Sequence, residues 1–471
     1  MDRIKIYVSF SSNALFSSTQ TYLLNYPEGH VMSNDEILGE IRQRCNGIEF
    51  IGSPEVKKAE QAVTDIQERR EDLDGLLYFG SLSDELLQLD LPTVAVYPLW
   101  GQWQEPFHAY KGHRVLTAVL PVIPDISDAT FNTRIEAIAD KLNSIAVINR
   151  LENLRILLVT DEPILGKYEP TGHQTAQEGR EAYQRAYLKN LADLGAEIVV
   201  RPQDELVSRL QAIPDTKADG LASDWIKKAE DVKGTNKLQV RESAKLYLAI
   251  KEMLDQYDAN AVTTEGYGIF MDYKDGPIPS QGMPSSMLCT EGVIATSETL
   301  VDSLITQQLG LWMTGNAGFN GDYIIDAPNN KAYIGHCECP LNLYGDERPM
   351  PYLIRNLPQW PVDQQEKGGA CIQVRLPENE RVTVVKISVH DKRMTMFSGH
   401  TVNGNMLFPG WDEILCRTKL AIDVDAQALF DHLDWWTFGN HRVVFYGDHR
   451  DTFTDLAKLM GYGMTVEDVN L

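Results

Sequence analysis

The sequence predicts an α/β protein made of two doubly wound α/β domains and a mainly antiparallel C-terminal domain built as a small barrel. Three observations point there. Short β-branched runs alternate with helical stretches in two successive cycles, the pattern of parallel sheets covered on both faces. Beyond residue 345 such runs follow one another with only short polar turns, as antiparallel strands do. The length, 471 residues, suits about three domains. The expected boundaries are 1–150, 151–314 and 315–471.

In the first cycle, IKIYVSF (4–10) reads as a buried parallel strand. IEFIGS (48–53) leads into SPEVKKAEQAVTDIQERR, with Ser53 as the expected N-cap and Pro54 in the first helical turn. DGLLYFGS, PTVAVYPLW and RVLTAVLPV are three further strands, and a helix around Arg134–Arg150 closes the domain. The second cycle opens with the strand LRILLVTD (154–161), then a helix around Thr175–Leu194 and the strand AEIVVRP. The polar segment 215–237 has little hydrophobic periodicity apart from Trp225 and Ile226. A helix over VRESAKLYLAIKEMLDQY and the strand NAVTTEG follow. Ligands of such sheets sit beyond the carboxyl ends of the strands. That puts residues 265–286 on the functional rim, in turns rather than core.

A helix beginning near Glu291 carries Leu300, Val301, Leu304, Ile305, Leu309 and Trp312 at helical spacing, with Gly315 as its stop. GGACIQVRL, ERVTVVKISVH, RMTMFSGHTV and EILCRTKLAID are the strands of the last domain. A helix around Ala426–Leu433, the strand HRVVFYG and a terminal helix over TFTDLAKLMG complete it.

Composition narrows the function. A formal charge of −24 argues against nucleic acid and anionic membranes, which need a basic face, and leaves cations and neutral solutes as ligands. No run of about 18 apolar residues is present to span a bilayer. The start, MDRIKIYVSF, reads as a strand and not as a signal peptide. Six cysteines in a chain of this length make no disulfide framework, so a reducing, cytoplasmic setting is expected. Cys337 and Cys339 lack a second pair to complete a zinc knuckle. GNAGFNG precedes a strand where a nucleotide loop would follow one, and no G-x-S-x-G elbow occurs.

The chemistry gathers in the stretch from Cys289 to Pro340. Two carboxylates, Glu291 and Asp322, can face each other there beside His336, and His441 can join them from the last segment. Carboxylates and imidazoles from separate elements suit a hard divalent cation such as Mn²⁺ better than a structural zinc. Each residue also has a plainer reading. Glu291, in the first turn of the expected helix, is a candidate for simple capping. Asp322 and Asp326 read as strand-edge turn residues, and His336 as a hydrogen-bonded residue at a strand end.

CTEG, NGDYIIDAPNNKAYIGHCECP and FGNHRVVFYGDHRD with its terminal helix match, in order and approximate spacing, a known pattern. Over residues 285–471 the chain resembles the L-fucose and L-arabinose isomerase superfamily. The resemblance implies that Glu291 and Asp322 hold a metal and share proton transfer, with Asp326 as the alternative register. It also implies His441 and His336 as further ligands, His336 alternatively as a substrate contact. One position departs: Val293 stands where the family carries an acidic residue. A homo-oligomer, often a hexamer, is implied as well.

Moving a hydrogen between C1 and C2 of an aldose develops negative charge on two oxygens. A divalent ion stabilises the resulting cis-enediolate, and a neighbouring carboxylate shuttles the proton. The expected activity is therefore metal-dependent aldose–ketose isomerisation of an unphosphorylated aldopentose or 6-deoxyhexose. Trp100, Trp103, Trp435 and Trp436 offer faces for stacking on a sugar, although core packing is the commoner fate of tryptophan. The rival readings are a non-catalytic sugar-binding or regulatory protein of the same fold, and a metal-dependent hydrolase.

Overall fold

The computed structural model describes residues 3–11, 33–97, 110–120, 129–161, 177–265, 277–345, 349–358, 367–408 and 410–469. The protein is α/β. Its chain forms two compact units, one of residues 1–151 with 451–463, the other of residues 152–450 with 464–471.

In the first unit, β1 (Ile4–Ser11), β2 (Ile48–Lys57), β3 (Gly75–Phe79), β4 (Thr93–Tyr97) and β5 (Val115–Val119) form a sheet in the order β2-β1-β3-β4-β5. Every pairing is parallel. β3 and β4 are buried along their whole length, which explains their unbroken apolar runs. Tyr7, Ala62, Ile66, Leu76 and Tyr78 pack one face of the core, and the rings of Phe10 and Phe79 stack at 4.1 Å. The helices Ala129–Asn149 and Arg450–Leu459 are joined by an ion pair, Lys141 Nζ to Asp455 Oδ2 at 2.6 Å.

One boundary differs from expectation. Ser53 and Pro54 lie inside β2, and the helix runs from Ala59 to Glu68 behind Lys58. β2 is the edge strand, where a proline removes no ladder bond that another strand needs. Pairing with β1 resumes after a register shift, with Phe10 opposite Val56.

The second unit begins with β6 (Arg155–Val159), β7 (Glu197–Arg201), β9 (Ala261–Thr264) and β10 (Ile294–Thr296), in the parallel order β10-β9-β6-β7. β8 (Asp231–Lys233), β13 (Tyr352–Asn356) and β14 (Ala370–Val374) make a small mixed sheet. The segment read as aperiodic contains a helix, Asp215–Lys228. Its buried face is Ala218, Ala222 and Trp225, a stripe at helical spacing whose small alanines give little hydropathy contrast. Residues 277–289 are buried, and Gly282–Thr290 is a helix, so this part of the rim is core. Residues 266–276 lie outside the described residues.

The remaining strands are β11 (Phe319–Asp326), β12 (Lys331–His336), β15 (Arg381–Ser388), β16 (Arg393–Val402), β17 (Thr418–Asp423), β18 (His441–Tyr446) and β19 (Gly463–Val466). They form one sheet in the order β15-β18-β11-β12-β17-β16-β19. From β15 to β16 the pairings are antiparallel. β15 also pairs with β16, so the neighbours run in a ring of six strands. Among the described residues no helix is long and apolar enough to cross a membrane.

Candidate metal centre

The parallel strand β10 ends at Thr296, and the helix Val301–Thr314 begins five residues later. In the turn between them, Glu298 and Thr299 both hold positive φ, 62° and 57°. For a β-branched threonine that region is sterically costly. The turn is held by Thr299 N–H donating to Thr264 O at 2.8 Å and Val301 N–H donating to Thr299 O at 2.9 Å. The result is a carboxylate just beyond the carboxyl end of a parallel strand, where open α/β sheets place their ligands.

The antiparallel sheet supplies the rest. Asp322 on β11 lies directly opposite His441 on β18 and Gly335 on β12. Opposite residues of an antiparallel pair project to the same face, so Asp322 and His441 meet. Asp322 Oδ1 stands 3.6 Å from His441 Nε2. Gly335 leaves that row open on its other side, and His336 ends the strand.

Glu298, His336 and His441 form a group whose ligand atoms all lie within 4.8 Å of one another. Glu298 Oε1 is 3.9 Å from His336 Nε2, and Glu298 Oε2 is 3.9 Å from His441 Nε2. These gaps are too long for hydrogen bonds. Two donors that share one ion at about 2.0–2.2 Å stand up to about 4.4 Å apart, so the gaps fit a common cation. His441 is 3% exposed, and neither of its ring nitrogens has a hydrogen-bond partner among the described residues; His336 Nδ1 is likewise unpaired. Orphaned buried imidazole nitrogens beside carboxylates are what a divalent ion would satisfy. A Glu/His/His group that can hold a divalent metal is thus present.

The electrostatics separate the two histidines. Burial, then repulsion from His336, lowers His441 to about 3, so it is neutral and one of its ring nitrogens carries an available lone pair. Burial also presses on His336, but Glu298 and Glu338 outweigh it and raise that imidazole to about 10. Glu338 stands behind His336, its Oε2 3.9 Å from Nδ1, and accepts a hydrogen bond from Ser297 N–H at 3.3 Å. Burial raises the Asp322 carboxyl above its usual range, with His336 pulling it down and Glu298 pushing it up. Asn440 Nδ2 donates to Asp322 Oδ1.

No protein-family model and no curated protein matches this chain.

Of the residues singled out in the sequence, Asp322, His336 and His441 come together. Glu291 does not join them. It ends the helix Gly282–Thr290, where its carboxylate accepts from Tyr247 Oη at 2.6 and 2.7 Å and pairs with Lys251 Nζ at 3.1 Å. Glu298 occupies the place expected for it, because the short strand β10 separates the two helices where a single helix from Glu291 was expected. The departure at Val293 was the available signal, although Glu298 also lacks an acid two positions on, where Leu300 stands. Asp326 accepts from Asn329 Nδ2 and Tyr333 Oη, both at 2.8 Å, and holds a surface turn.

Asp322 opens onto a cavity of about 1130 Å³ whose walls include Tyr333, Phe408, Trp411, Cys416 and Lys419. Its aromatic wall is thus Trp411, with Phe408 stacked on it at 5.8 Å, and not Trp436. Trp436 is 57% exposed on the short helix Trp435–Phe438. Trp100 and Trp103 lie outside the described residues.

Proposed function

We propose that the protein is a metal-dependent aldose–ketose isomerase acting on an unphosphorylated aldopentose or 6-deoxyhexose of the L-fucose or L-arabinose type. One observation carries the reading: Glu298, Asp322, His336 and His441, drawn from four separate elements, converge at one point beside a cavity of sugar-accommodating size. The resemblance of the segments around Asp322, His336 and His441 to the isomerase superfamily supplies the reaction class.

Glu298 and His441 would hold the ion, with Asp322 and His336 completing its surroundings. Carboxylate and imidazole donors favour Mn²⁺ or a similar hard cation. The ion would supply positive charge against the negative charge that develops on two neighbouring substrate oxygens. Asp322 takes the proton from the carbon beside the carbonyl and returns it to the adjacent carbon, while the hydroxyl proton passes from O2 to O1. Its Oδ2, the oxygen not bonded by Asn440, is the accepting atom. A carboxyl raised by burial is closer in basicity to the task than an exposed one. Tyr333, Phe408 and Trp411 offer apolar faces to a sugar ring. A homo-oligomer, hexameric by resemblance, belongs to the same reading.

The test is metal analysis of the purified protein, with a panel of aldoses scored by ketose formation. Exhaustive chelation should abolish turnover, and Mn²⁺ should restore it better than Zn²⁺. Full turnover after chelation, preference for a sugar phosphate, or sugar binding with no ketose formed would each overturn the proposal.

A further inference from the structure

Four strands carry a single row of residues out of the candidate metal centre and into the cavity. His441 on β18 lies opposite Asp322 on β11, Asp322 opposite Gly335 on β12, and Gly335 opposite Lys419 on β17. Opposite residues of antiparallel pairs project to the same face, so imidazole, carboxylate, gap and ammonium follow in that order. Gly335 makes the gap, and a Cβ added there would stand 3.2 Å from the Cβ of Lys419. The next row on this face is Ile324, Tyr333 and Ala421. Asp322, Gly335 and Lys419 line the cavity, and so do Ile324 and Tyr333, so a polar row runs beside an apolar one. Lys419 is half-buried. Its Nζ donates to Cys416 O at 2.8 Å and stands 5.3 Å from the centre of the Trp411 ring. An ammonium has three N–H donors, so two of these have no acceptor among the described residues. Nothing in the proposed reaction uses them.

We propose that Lys419 binds the sugar at the end remote from the reacting carbons, donating to its C4 and C5 hydroxyls over a floor made by Gly335. This contact rests on the isomerase reading, with C1 and C2 of the chain at Asp322. Neighbouring strands lie about 4.8 Å apart, so the backbones at Asp322 and Lys419, two strands apart, are separated by about 10 Å. The two side chains reach in from either end, and the carbons between them cross the one position of the row that has no side chain. The C–H groups of the sugar then face Ile324 and Tyr333 in the apolar row. The charges around Lys419 favour a neutral polyol over a phosphate. Asp322, Asp326 and Glu413 also line the cavity, and Arg417 is engaged by Asn356 and Glu413. A phosphate at Lys419 would share the cavity with three carboxylates, whereas a hydroxyl accepts from the ammonium without bringing a charge.

Lys419→Met keeps the length of the side chain and removes all three donors. For the full chain loaded with Mn²⁺, KM for L-fucose and L-arabinose should rise roughly 10- to 100-fold with kcat within about 2-fold, as when a ground-state hydrogen bond to a charged group is lost. Dissociation constants from calorimetry should follow KM. L-Glyceraldehyde, whose chain stops at C3, should bind wild type and variant alike. Gly335→Ala narrows the floor without touching the lysine, and it should likewise weaken the two longer sugars and spare glyceraldehyde. Lys419→Arg, which keeps donors, should recover most of the affinity. Unchanged affinity for the longer sugars in Lys419→Met or in Gly335→Ala overturns the proposal. So does an equal loss for glyceraldehyde, a fall in kcat at constant KM, or a wild type that binds neither longer sugar. Weaker sugar binding in Lys419→Met, with no ketose formed by the wild type, upholds the contact and removes the isomerase reading alone.

Discussion

Glu291 and Glu298 each stand beside a helix, at opposite electrical ends. Glu291 closes the helix Gly282–Thr290, where the dipole disfavours a carboxylate, and Tyr247 and Lys251 compensate it. Glu298 precedes the helix Val301–Thr314, whose amino end favours one. Glu298→Gln should therefore weaken Mn²⁺ binding and cut turnover by roughly 10²-fold or more, the scale of an essential catalytic group. Glu291→Gln should leave both unchanged and cost less than about 1 kcal/mol of stability, as exposed pairs do; calorimetric metal titration and a thermal melt separate the two. Asp322 and Asp326 divide in the same way. Asp322→Asn should lower turnover by roughly 10²–10⁴-fold. Asp326→Asn should spare turnover and cost about 1 kcal/mol, the worth of its turn hydrogen bonds. Hydrogen bonding to Asn329 lowers the Asp326 carboxyl in the folded state. Its stabilisation is thus present above the ordinary carboxylate range and lost as pH falls through the lowered value. The difference in melting temperature between wild type and Asp326→Asn should shrink in acid. Asp322, His336 and His441 were legible in the sequence because each sits in a short motif, Asp322 within β11 and the two histidines at strand ends. Glu298 was not, since its role depends on a turn with positive φ, which residue types at that position do not advertise.

Among the elements, this turn between β10 and the helix Val301–Thr314 concentrates the strain. Two successive non-glycine residues in the left-handed region cost on the order of 1–3 kcal/mol each. Thr299→Gly removes part of that cost while freeing the backbone that aims Glu298. The melting temperature should stay level or rise, and Mn²⁺ affinity should fall severalfold. A variant with lower stability and unchanged affinity would show that the turn does not position the carboxylate. The buried parallel strands β3 and β4 were readable as unbroken apolar and aromatic runs, and β15, in the antiparallel run beyond residue 345, by its β-branched residues. The helix Asp215–Lys228 was hidden by alanines on its buried face, and β2 by a proline that an edge strand tolerates.

For the molecule as a whole, the first unit is discontinuous: residues 451–463 return to it after most of the second unit, residues 152–450. The returning helix buries Phe453, Leu456 and Leu459 and carries Asp455, the partner of Lys141. A fragment of residues 1–151 should melt at a lower temperature than the same fragment joined through a flexible linker to residues 451–463, by circular dichroism. Equal melting temperatures would mean that this helix adds nothing to the unit. The arrangement also sets a clock on the ribosome. About 300 residues separate Leu151 from Asp451, so at roughly 5–20 residues per second the nascent first unit waits on the order of 15–60 s for its closing helix. Until then the apolar surface destined for Phe453 and Leu456 is exposed to the cell, a window in which a chaperone can bind the emerging chain.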